Sequence, residues 1–256
     1  MVKADELKIK PVPAVYKCFD IIDLFVTAQK PMGISAIATA LGYHRSTVFN
    51  LAYSLLDLGI LERGDDGKFH LGTRFFELGK TAGRTSGLVH MARPYLEEIN
   101  AETGLTAFLG VRSALNAVVV DKADMVSGLK VSTDVGHSLP LLVGAGGKAL
   151  LSQLSDEELD RILAANDLIQ CTALSCVDKN DFKNIILKVR EEGIAYDMEE
   201  YADGVRALAV PLRVSKSIPT AIWAVGLKWR LPEERIDSCV QLLKQIASNI
   251  EQKMAT

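Results

Sequence analysis

The chain has 256 residues, of which 48% are hydrophobic and 24% charged, and its formal net charge is −3. This composition indicates one large or two small globular domains, and it argues against nucleic-acid binding over the whole surface while leaving room for a local basic face. No apolar run reaches the roughly 18 residues that a membrane-spanning helix needs, and the N-terminus carries no apolar signal segment. We therefore expect a cytoplasmic protein that contacts no membrane.

The N-terminal part of the chain predicts three helices followed by a β-hairpin. Apolar residues recur at helical spacing from Val15 to Val26, a short second helix follows at about 34–41, and Gly42 ends it. A third helix starts near His44 or Arg45. Two strand-like segments, 60–63 and 68–71, flank a Gly-Asp-Asp-Gly turn that is typical of a tight hairpin. This order of elements predicts a winged helix, which we assign to residues 1–72.

The remaining sequence predicts a linker helix at 73–86 and a mixed domain at 87–256, so the fold class is α+β. Within that domain the patterns predict helices at about 88–102, 148–154, 157–165, 181–192 and 232–253. They predict strands at 106–111, 116–121, 129–132, 207–212 and 221–227.

The third helix carries short polar side chains opposite its apolar stripe, as a helix that reads DNA requires. The candidates are Arg45, Ser46, Thr47, Asn50 and Tyr53. The first three lie in the first turn, where free backbone N–H groups and the helix dipole attract phosphate. Asn50 lies one turn further on, where it can bind an adenine edge through two hydrogen bonds. Tyr53 either contacts thymine methyl groups or sugars, or packs against the wing or the linker.

Basic residues outside this helix add candidate phosphate contacts: Lys68 in the hairpin, and Arg74 and Lys80 in the linker. Any small helical domain shows a polar face, however, and residues 15–75 carry nearly balanced charge. A winged-helix module that binds another protein therefore remains an alternative to DNA binding.

An ordered set of short motifs resembles the IclR family of bacterial transcriptional regulators. The N-terminal matches are 34–48, 55–61 and 69–72, and the C-terminal matches are 92–96, 102–104, 139–140, 147–151, 199–200 and 204–206. The resemblance implies a GAF-like effector-binding domain, a homodimer or homotetramer, and binding to double-stranded DNA at a palindromic operator under control of a small molecule. The family usually carries Arg where this chain has Asn50, so the operator sequence does not transfer from relatives.

The resemblance also implies where the effector binds. The segment 144–149 invites comparison with a nucleotide-binding P-loop but does not match it, because Leu142 stands five positions before Gly147 and Ala149 replaces the residue whose hydroxyl binds Mg²⁺. Glycines that lead into a helix nevertheless present free N–H groups to an anion. In the family the corresponding loop holds an effector carboxylate, which implies Ala145 and Gly146 as amide donors. A tight turn is the alternative reading of these glycines. Asp197 resembles a position that contacts the effector, with a surface carboxylate as the alternative.

Three further positions resemble the family's pocket. Relatives that sense small polar acids place Cys or Ser where this chain has Ala207, Ala224 and Gly226. A buried polar group left without a partner costs about 1–3 kcal/mol, so the pocket is expected to disfavour small polar acids such as glyoxylate. The sequence therefore predicts a larger, partly apolar or aromatic carboxylate. For Glu199 and Glu200 we expect surface positions or a structural pairing with Arg206.

The sequence shows no nucleophile elbow, no metalloprotease motif and no dinucleotide fingerprint. The four cysteines form no CxxC pair and the four histidines are widely separated. We expect no catalytic residue, no metal and no cofactor. A metal at His137, Cys171 and Cys176, and an enzyme that uses Asp197 as a base on a small acid, are remote alternatives.

Overall fold

The computed structural model describes residues 10, 12–85, 87–124, 128–215 and 218–255, with side chains except at 80–85. The chain divides into two compact units, residues 1–85 and 86–256. Within the described part of the chain, no helix has the length and apolar character needed to cross a membrane.

The first unit is a winged helix-turn-helix followed by a linker helix. Its elements are Pro13–Ala28 (α1), Ile34–Leu41 (α2), Arg45–Asp57 (α3), Leu61–Arg63 (β1), Phe69–Leu71 (β2) and Arg74–Thr85 (α4). Gly42 ends α2 at φ 67°, a conformation that glycine adopts without strain. The antiparallel β1–β2 hairpin forms the wing, and a bridge from Met32 to Phe69 ties it to the segment before α2.

The core of this unit collects one apolar face from each helix: Ile21 and Phe25 from α1, Ile37 from α2, and Val48 and Leu55 from α3. The wing closes this core with Leu61 and Phe69. Three helices and a hairpin thus bury a common centre, which confirms the predicted winged helix.

The second unit is an α+β domain built on one antiparallel sheet. Its elements are Gly87–Thr103 (α5), Thr106–Ser113 (β3), Asn116–Ala123 (β4), Ser138–Pro140 (β5), Gly144–Leu151 (α6), Asp156–Ala165 (α7), Lys179–Glu192 (α8), Ala195–Met198 (β6), Val205–Leu212 (β7), Thr220–Leu227 (β8) and Glu233–Ala255 (α9). The strand order is β5-β4-β3-β8-β7-β6. One sheet face packs on α5 and α9, and the opposite face packs on α6, α7 and α8.

For this unit one predicted strand and one predicted helix start were wrong, and two strands, β5 and β6, were not predicted. Residues 129–132 are not a strand; the third strand along the chain is β5, which pairs with β4. Strand β6 was not predicted, because a four-residue edge strand shows too little periodicity. Helix α6 begins at Gly144 instead of 148, since its glycines are selected by packing and not by helix propensity. A Cβ on Gly147 would lie 2.1 Å from the Leu141 carbonyl oxygen.

Candidate functional site

The exposed face of α3 carries most of the predicted DNA-binding residues. Arg45, Ser46 and Asn50 are exposed and Thr47 is half-buried, while Val48 on the opposite side is fully buried. Helix α3 follows His44 in extended conformation, and within the described residues no side-chain hydrogen bond caps its start. The first-turn N–H groups therefore remain available to a phosphate.

Tyr53 is directed at the wing. Its hydroxyl accepts a hydrogen bond from the Arg63 guanidinium at 3.2 Å, and its ring meets the Phe69 ring edge-on at 5.7 Å. On its other side the ring packs against Phe49 at 4.4 Å. Of the two readings of Tyr53, the structure places it in wing packing, and its contact with DNA stays a prediction. Phe49, which is 49% exposed, is the aromatic side chain that this face presents to solvent.

Lys68 lies exposed in the wing, directly before strand β2. Its ammonium Nζ is 2.9 Å from the Asp66 carboxylate, which also accepts the Lys68 backbone N–H at 3.0 Å. These two hydrogen bonds lower the pKa of Asp66. Any phosphate that binds Lys68 therefore competes with Asp66.

The start of α4 is anchored to the winged helix by Glu62 and Thr73, which the sequence analysis did not single out, and by Arg74, which it named as a phosphate contact. The Glu62 carboxylate accepts hydrogen bonds from the Thr73 backbone N–H at 2.7 Å and from the Thr73 hydroxyl at 2.9 Å, which lower the pKa of Glu62. Arg74 donates to the Leu58 carbonyl at the end of α3 at 2.5 Å. Arg74 thus joins the linker helix to the end of α3. The Lys80 side chain lies outside the described residues.

A cavity of about 290 Å³ lies between the sheet and α6 in the second unit. Its walls are mostly apolar and come from β3, β7, β8, the first turn of α6 and the segments 131–140 and 197–205; they include Phe108, Val131, Leu139, Val143, Val205 and Trp223. The polar side chains that line the cavity include those of Ser132, Thr133, His137, Asp197 and Tyr201.

The first turn of α6 forms one wall of the cavity. Ala145 and Gly146, the predicted amide donors, line it. The residue before the helix is Val143, whose side chain has no group that can cap the free N–H groups. Gly146 packs directly on the Trp223 indole, because a Cβ there would lie 3.1 Å from Cδ2. With no side-chain cap in the part of the chain that the structure describes, this helix start presents its first N–H donors to a mostly apolar space.

Asp197 lines the same cavity and is only 3% exposed, so its reading as a surface carboxylate was wrong. Its Oδ1 accepts the backbone N–H of Glu200 at 2.7 Å and that of Tyr201 at 3.3 Å. Burial raises the pKa of Asp197, against these hydrogen bonds, which lower it.

Buried and half-buried ion pairs hold the chain that follows Asp197. Lys148, 1% exposed on α6, donates to the Tyr196 carbonyl at 2.8 Å and to the Glu200 carboxylate at 2.5 Å. Glu199 lies 2.6 Å from Lys228 and 3.8 Å from Arg206. The expected pairing with Arg206 is therefore present for Glu199, whereas Glu200 pairs with Lys148.

Two of the three predicted pocket positions on β7 and β8 were wrong. Ala207 lines the cavity, but Ala224 faces the other side of the sheet, in the core with α5 and α9. Gly226 points the same way, since a Cβ there would lie 2.5 Å from Leu105. Strand β8 instead presents Trp223 and Val225 to the cavity. Side chains alternate between faces along a strand, so an offset of one residue exchanges the whole set.

The alternative of a metal at His137, Cys171 and Cys176 finds no support among the described residues. Across the described ranges, no three His, Cys, Asp or Glu side chains come together as metal ligands. His137 lines the cavity, whereas Cys171 is exposed and outside the lining.

Comparison with known proteins identifies both units. Residues 14–65 match the IclR helix-turn-helix domain, and residues 81–252 match the family described as bacterial transcriptional regulator IclR C-terminal. The HTH-type transcriptional regulator KdgR of Escherichia coli is 26% identical over 245 residues, which cover 95% of this chain and 93% of KdgR. The HTH-type transcriptional regulator Rv1719 of Mycobacterium tuberculosis is 33% identical over 193 residues, covering 74% of this chain and 73% of the relative.

A solved structure shares the fold over nearly the whole chain. An IclR homolog from Microbacterium hydrocarbonoxydans, complexed with 4-hydroxybenzoate, superposes with a TM-score of 0.81 at 20% sequence identity, covering 94% of this chain and 99% of the homolog. Both units, their order and the named relatives agree with the motifs read from the sequence. This chain belongs to the IclR family of transcriptional regulators, with a helix-turn-helix DNA-binding domain and a C-terminal effector domain.

Proposed function

We propose that this regulator binds a palindromic operator as a homo-oligomer, and that a partly apolar or aromatic carboxylate modulates this binding. The observation that carries the proposal is the cavity of about 290 Å³, because its mostly apolar walls end at the uncapped first turn of α6. Apolar walls suit a ring or a hydrocarbon segment, and the free N–H groups suit its carboxylate.

The cavity chemistry supports a larger effector than glyoxylate or pyruvate. Ala207, Trp223 and Val225 offer mostly apolar surface where a small polar acid would need hydrogen-bond partners. The Microbacterium homolog binds 4-hydroxybenzoate, a molecule with a flat apolar ring and one carboxylate. Ala145 and Gly146 are the proposed amide donors, and Asp197 and Ala207 complete the proposed effector-binding residues.

The DNA surface proposed here combines the first turn of α3 with the wing. Arg45, Ser46 and Thr47 would hold phosphates or base edges, Asn50 would read a base, and Lys68 would bind backbone phosphate from the wing. A single copy presents one such helix, and two helices spaced by roughly 34–36 Å match two half-sites one helical turn apart.

Helix α1 supports the homo-oligomer. The hydrophobic residues Val15, Tyr16, Phe19 and Val26 are each more than half exposed on this helix. Contiguous exposed apolar side chains of this kind usually mark a protein interface. Association of two copies through this stripe would give the two-fold symmetry that a palindrome requires.

Fluorescence anisotropy on the duplex that flanks the chain's own gene tests this function, with a scrambled duplex of the same composition as reference. We expect binding that weakens steeply with salt and prefers the native duplex. Asn50→Ala should reduce that preference by about tenfold, since a bidentate base contact contributes about 1–3 kcal/mol of discrimination. Asn184→Ala, an exposed Asn on α8 of the other unit, is the matched control.

The effector part is tested in the same assay. Benzoate and 4-hydroxybenzoate should shift the operator titration, whereas glyoxylate and pyruvate should leave it unchanged. Equal affinity for native and scrambled duplexes would contradict operator binding. A response to glyoxylate or pyruvate without any response to the aromatic acids would contradict the proposed effector class.

A further inference from the structure

Trp223 carries a hydrogen-bond donor that has no partner in the described protein. The side chain is 4% exposed and lines the cavity. Buried tryptophans usually donate their indole N–H to an acceptor. Here no described residue accepts this N–H. Among the described residues, the side-chain polar atoms that are fully enclosed and lack a partner are Arg206 Nε and Arg230 Nε, so Trp223 Nε1 is not fully enclosed. The N–H therefore reaches open space, and the open space beside Trp223 is the cavity.

Two glycines determine how the indole lies. A Cβ on Gly110 of β3 would lie 2.2 Å from Cη2 and 2.5 Å from Cζ3, at one end of the indole. The six-membered ring therefore occupies the space that a side chain at Gly110 would need. On the ring face, Gly146 of α6 sits over the fusion bond, since its Cβ would lie 3.1 Å from Cδ2 and 3.3 Å from Cε2. Nε1 is bonded to Cε2, which is one of the three atoms nearest to that Cβ, and it lies on the part of the indole away from Gly110.

The indole ring that carries this N–H thus packs against the first turn of α6, whose N–H groups have no side-chain cap among the described residues. Ala145 and Gly146 supply those groups, and Lys148 is not available as a cation because it is turned away from the cavity toward Tyr196 and Glu200. An anion at this place must be held by N–H dipoles. A carboxylate has two oxygens and about four acceptor positions, so it can take the two amides and a third donor.

We infer that the Trp223 indole N–H donates a hydrogen bond to the effector's carboxylate, together with the backbone amides of Ala145 and Gly146. This arrangement of donors beside aromatic rings selects an aromatic monocarboxylate as the effector. This inference rests on the proposed effector site and adds a residue that the family motifs did not indicate. The Phe108 ring lies 5.6 Å from the Trp223 ring at 33°, so the floor behind the carboxylate is a pair of aromatic rings that suits a flat ligand.

The protein's two tryptophans make a direct test possible, because the other one, Trp229, is 62% exposed and lies outside this cavity. In a Trp229→Phe protein with ¹⁵N-labelled tryptophan and glycine, the single indole ¹H–¹⁵N signal reports on Trp223 and the glycine signals report on the first turn of α6. Titration with benzoate and 4-hydroxybenzoate should move the indole proton downfield and shift the Gly146 amide. Neutral benzamide should produce a smaller indole shift.

A matched isostere then isolates the donor. Replacing tryptophan biosynthetically with 3-benzothienylalanine in the Trp229→Phe background keeps the bicyclic shape at position 223 and removes only the N–H. We expect benzoate to bind about tenfold more weakly or worse, as for loss of a hydrogen bond to a charged group. The titration of the unsubstituted indole keeps the inference testable if the isostere protein does not fold.

The outcomes separate the two proposals. Movement of the Gly146 amide with an unmoved indole signal, or equal affinity of the isostere protein, would overturn the inference and leave the effector site standing. If neither signal responds to either aromatic acid, the proposed effector class fails and the inference fails with it.

Discussion

The Trp223 indole fills the space that a side chain on Gly110 would occupy: a Cβ at that position would lie 2.2 Å from Cη2. The two residues belong to neighbouring antiparallel strands, in which Gly110 pairs with Ala221 and Phe108 pairs with Trp223. The β3–β4 pairing also shifts register between Leu109 and Gly110. A glycine at this irregularity therefore makes the cavity floor possible.

Gly110→Ala should destabilise the second unit by about 1–3 kcal/mol, because an added methyl group in a packed core forces its neighbours to shift. The indole would have to move, so the affinity for benzoate should fall as well. Urea denaturation, followed by Trp223 fluorescence in the Trp229→Phe background, measures the stability, and titration of the same protein with benzoate measures the affinity. Gly87→Ala is the matched control, since a Cβ there has no described atom within 4 Å and stability should stay nearly unchanged. Equal stability of the two variants would contradict this packing.

Lys148→Met should cost about 3–5 kcal/mol of stability, because it leaves the half-buried Glu200 carboxylate and the Tyr196 carbonyl without their donor. The double variant Lys148→Met with Glu200→Gln should recover part of the loss, since no uncompensated charge remains. Chemical denaturation of both variants and of the wild type measures this coupling. Lys188→Met on the surface of α8, where Nζ lies 3.7 Å from Glu192, should leave stability almost unchanged. A double variant no more stable than the single one would speak against the ion pair.

The stability of the second unit should fall as pH rises through the titration of Asp197. Burial raises the pKa of this carboxyl above its ordinary value. Ionisation is therefore harder in the folded than in the unfolded protein, and the cost is absent at pH values below the unfolded pKa and complete above the folded one. Among neighbouring charges, Glu200 raises this pKa and Lys148 lowers it.

Asp197→Asn keeps an oxygen for the Glu200 and Tyr201 N–H groups and removes the charge. Its Tm should exceed that of the wild type at neutral pH, and the difference should disappear near pH 4. Benzoate binding by the wild type should weaken with rising pH, because ionised Asp197 repels a carboxylate at α6, and the variant should lose this dependence. A wild-type Tm profile parallel to that of the variant would contradict the assignment.

Substitutions of Lys68 and Asp66 should change the affinity for DNA in opposite directions. Lys68→Ala should weaken operator binding and lower the slope of log affinity against log salt by about one, as for loss of one phosphate contact. Asp66→Asn keeps an acceptor for the Lys68 backbone N–H while freeing its ammonium from the 2.9 Å ion pair, so affinity should rise. Anisotropy titrations at several salt concentrations measure both. Unchanged affinity in both variants would remove the wing from the DNA surface.

Phe19→Asp should disrupt association of the DNA-binding units, because it places a charge in the exposed apolar stripe of α1. Sedimentation velocity should show a smaller assembly, and operator affinity should fall more than affinity for an isolated half-site. Leu174→Asp, which alters a similarly exposed apolar residue in the second unit, controls for a general effect of the charge. An unchanged assembly with Phe19→Asp would exclude this stripe as the interface.

The sequence alone predicted the winged helix, because its signals are local. Apolar spacing in the helices, Gly42 after α2 and the Asp-Gly turn of the hairpin each act within a few residues, and all agree with the structure. The family motifs are local in the same sense, so the transcriptional regulator and its two domains could be recognised before any fold was known.

Only the tertiary structure decided which side chains line the cavity. Whether Trp223 or Ala224 faces it depends on the register of β8 against β3, which a one-residue offset reverses. Lys148 meets Glu200 across 52 positions, and Asp197 becomes buried only when α6 packs beside it. In the sequence Gly110 is an ordinary strand glycine, and only the packing of Trp223 from β8 against it shows why a side chain does not fit there. Such contacts join residues far apart in the chain, so no local pattern encodes them.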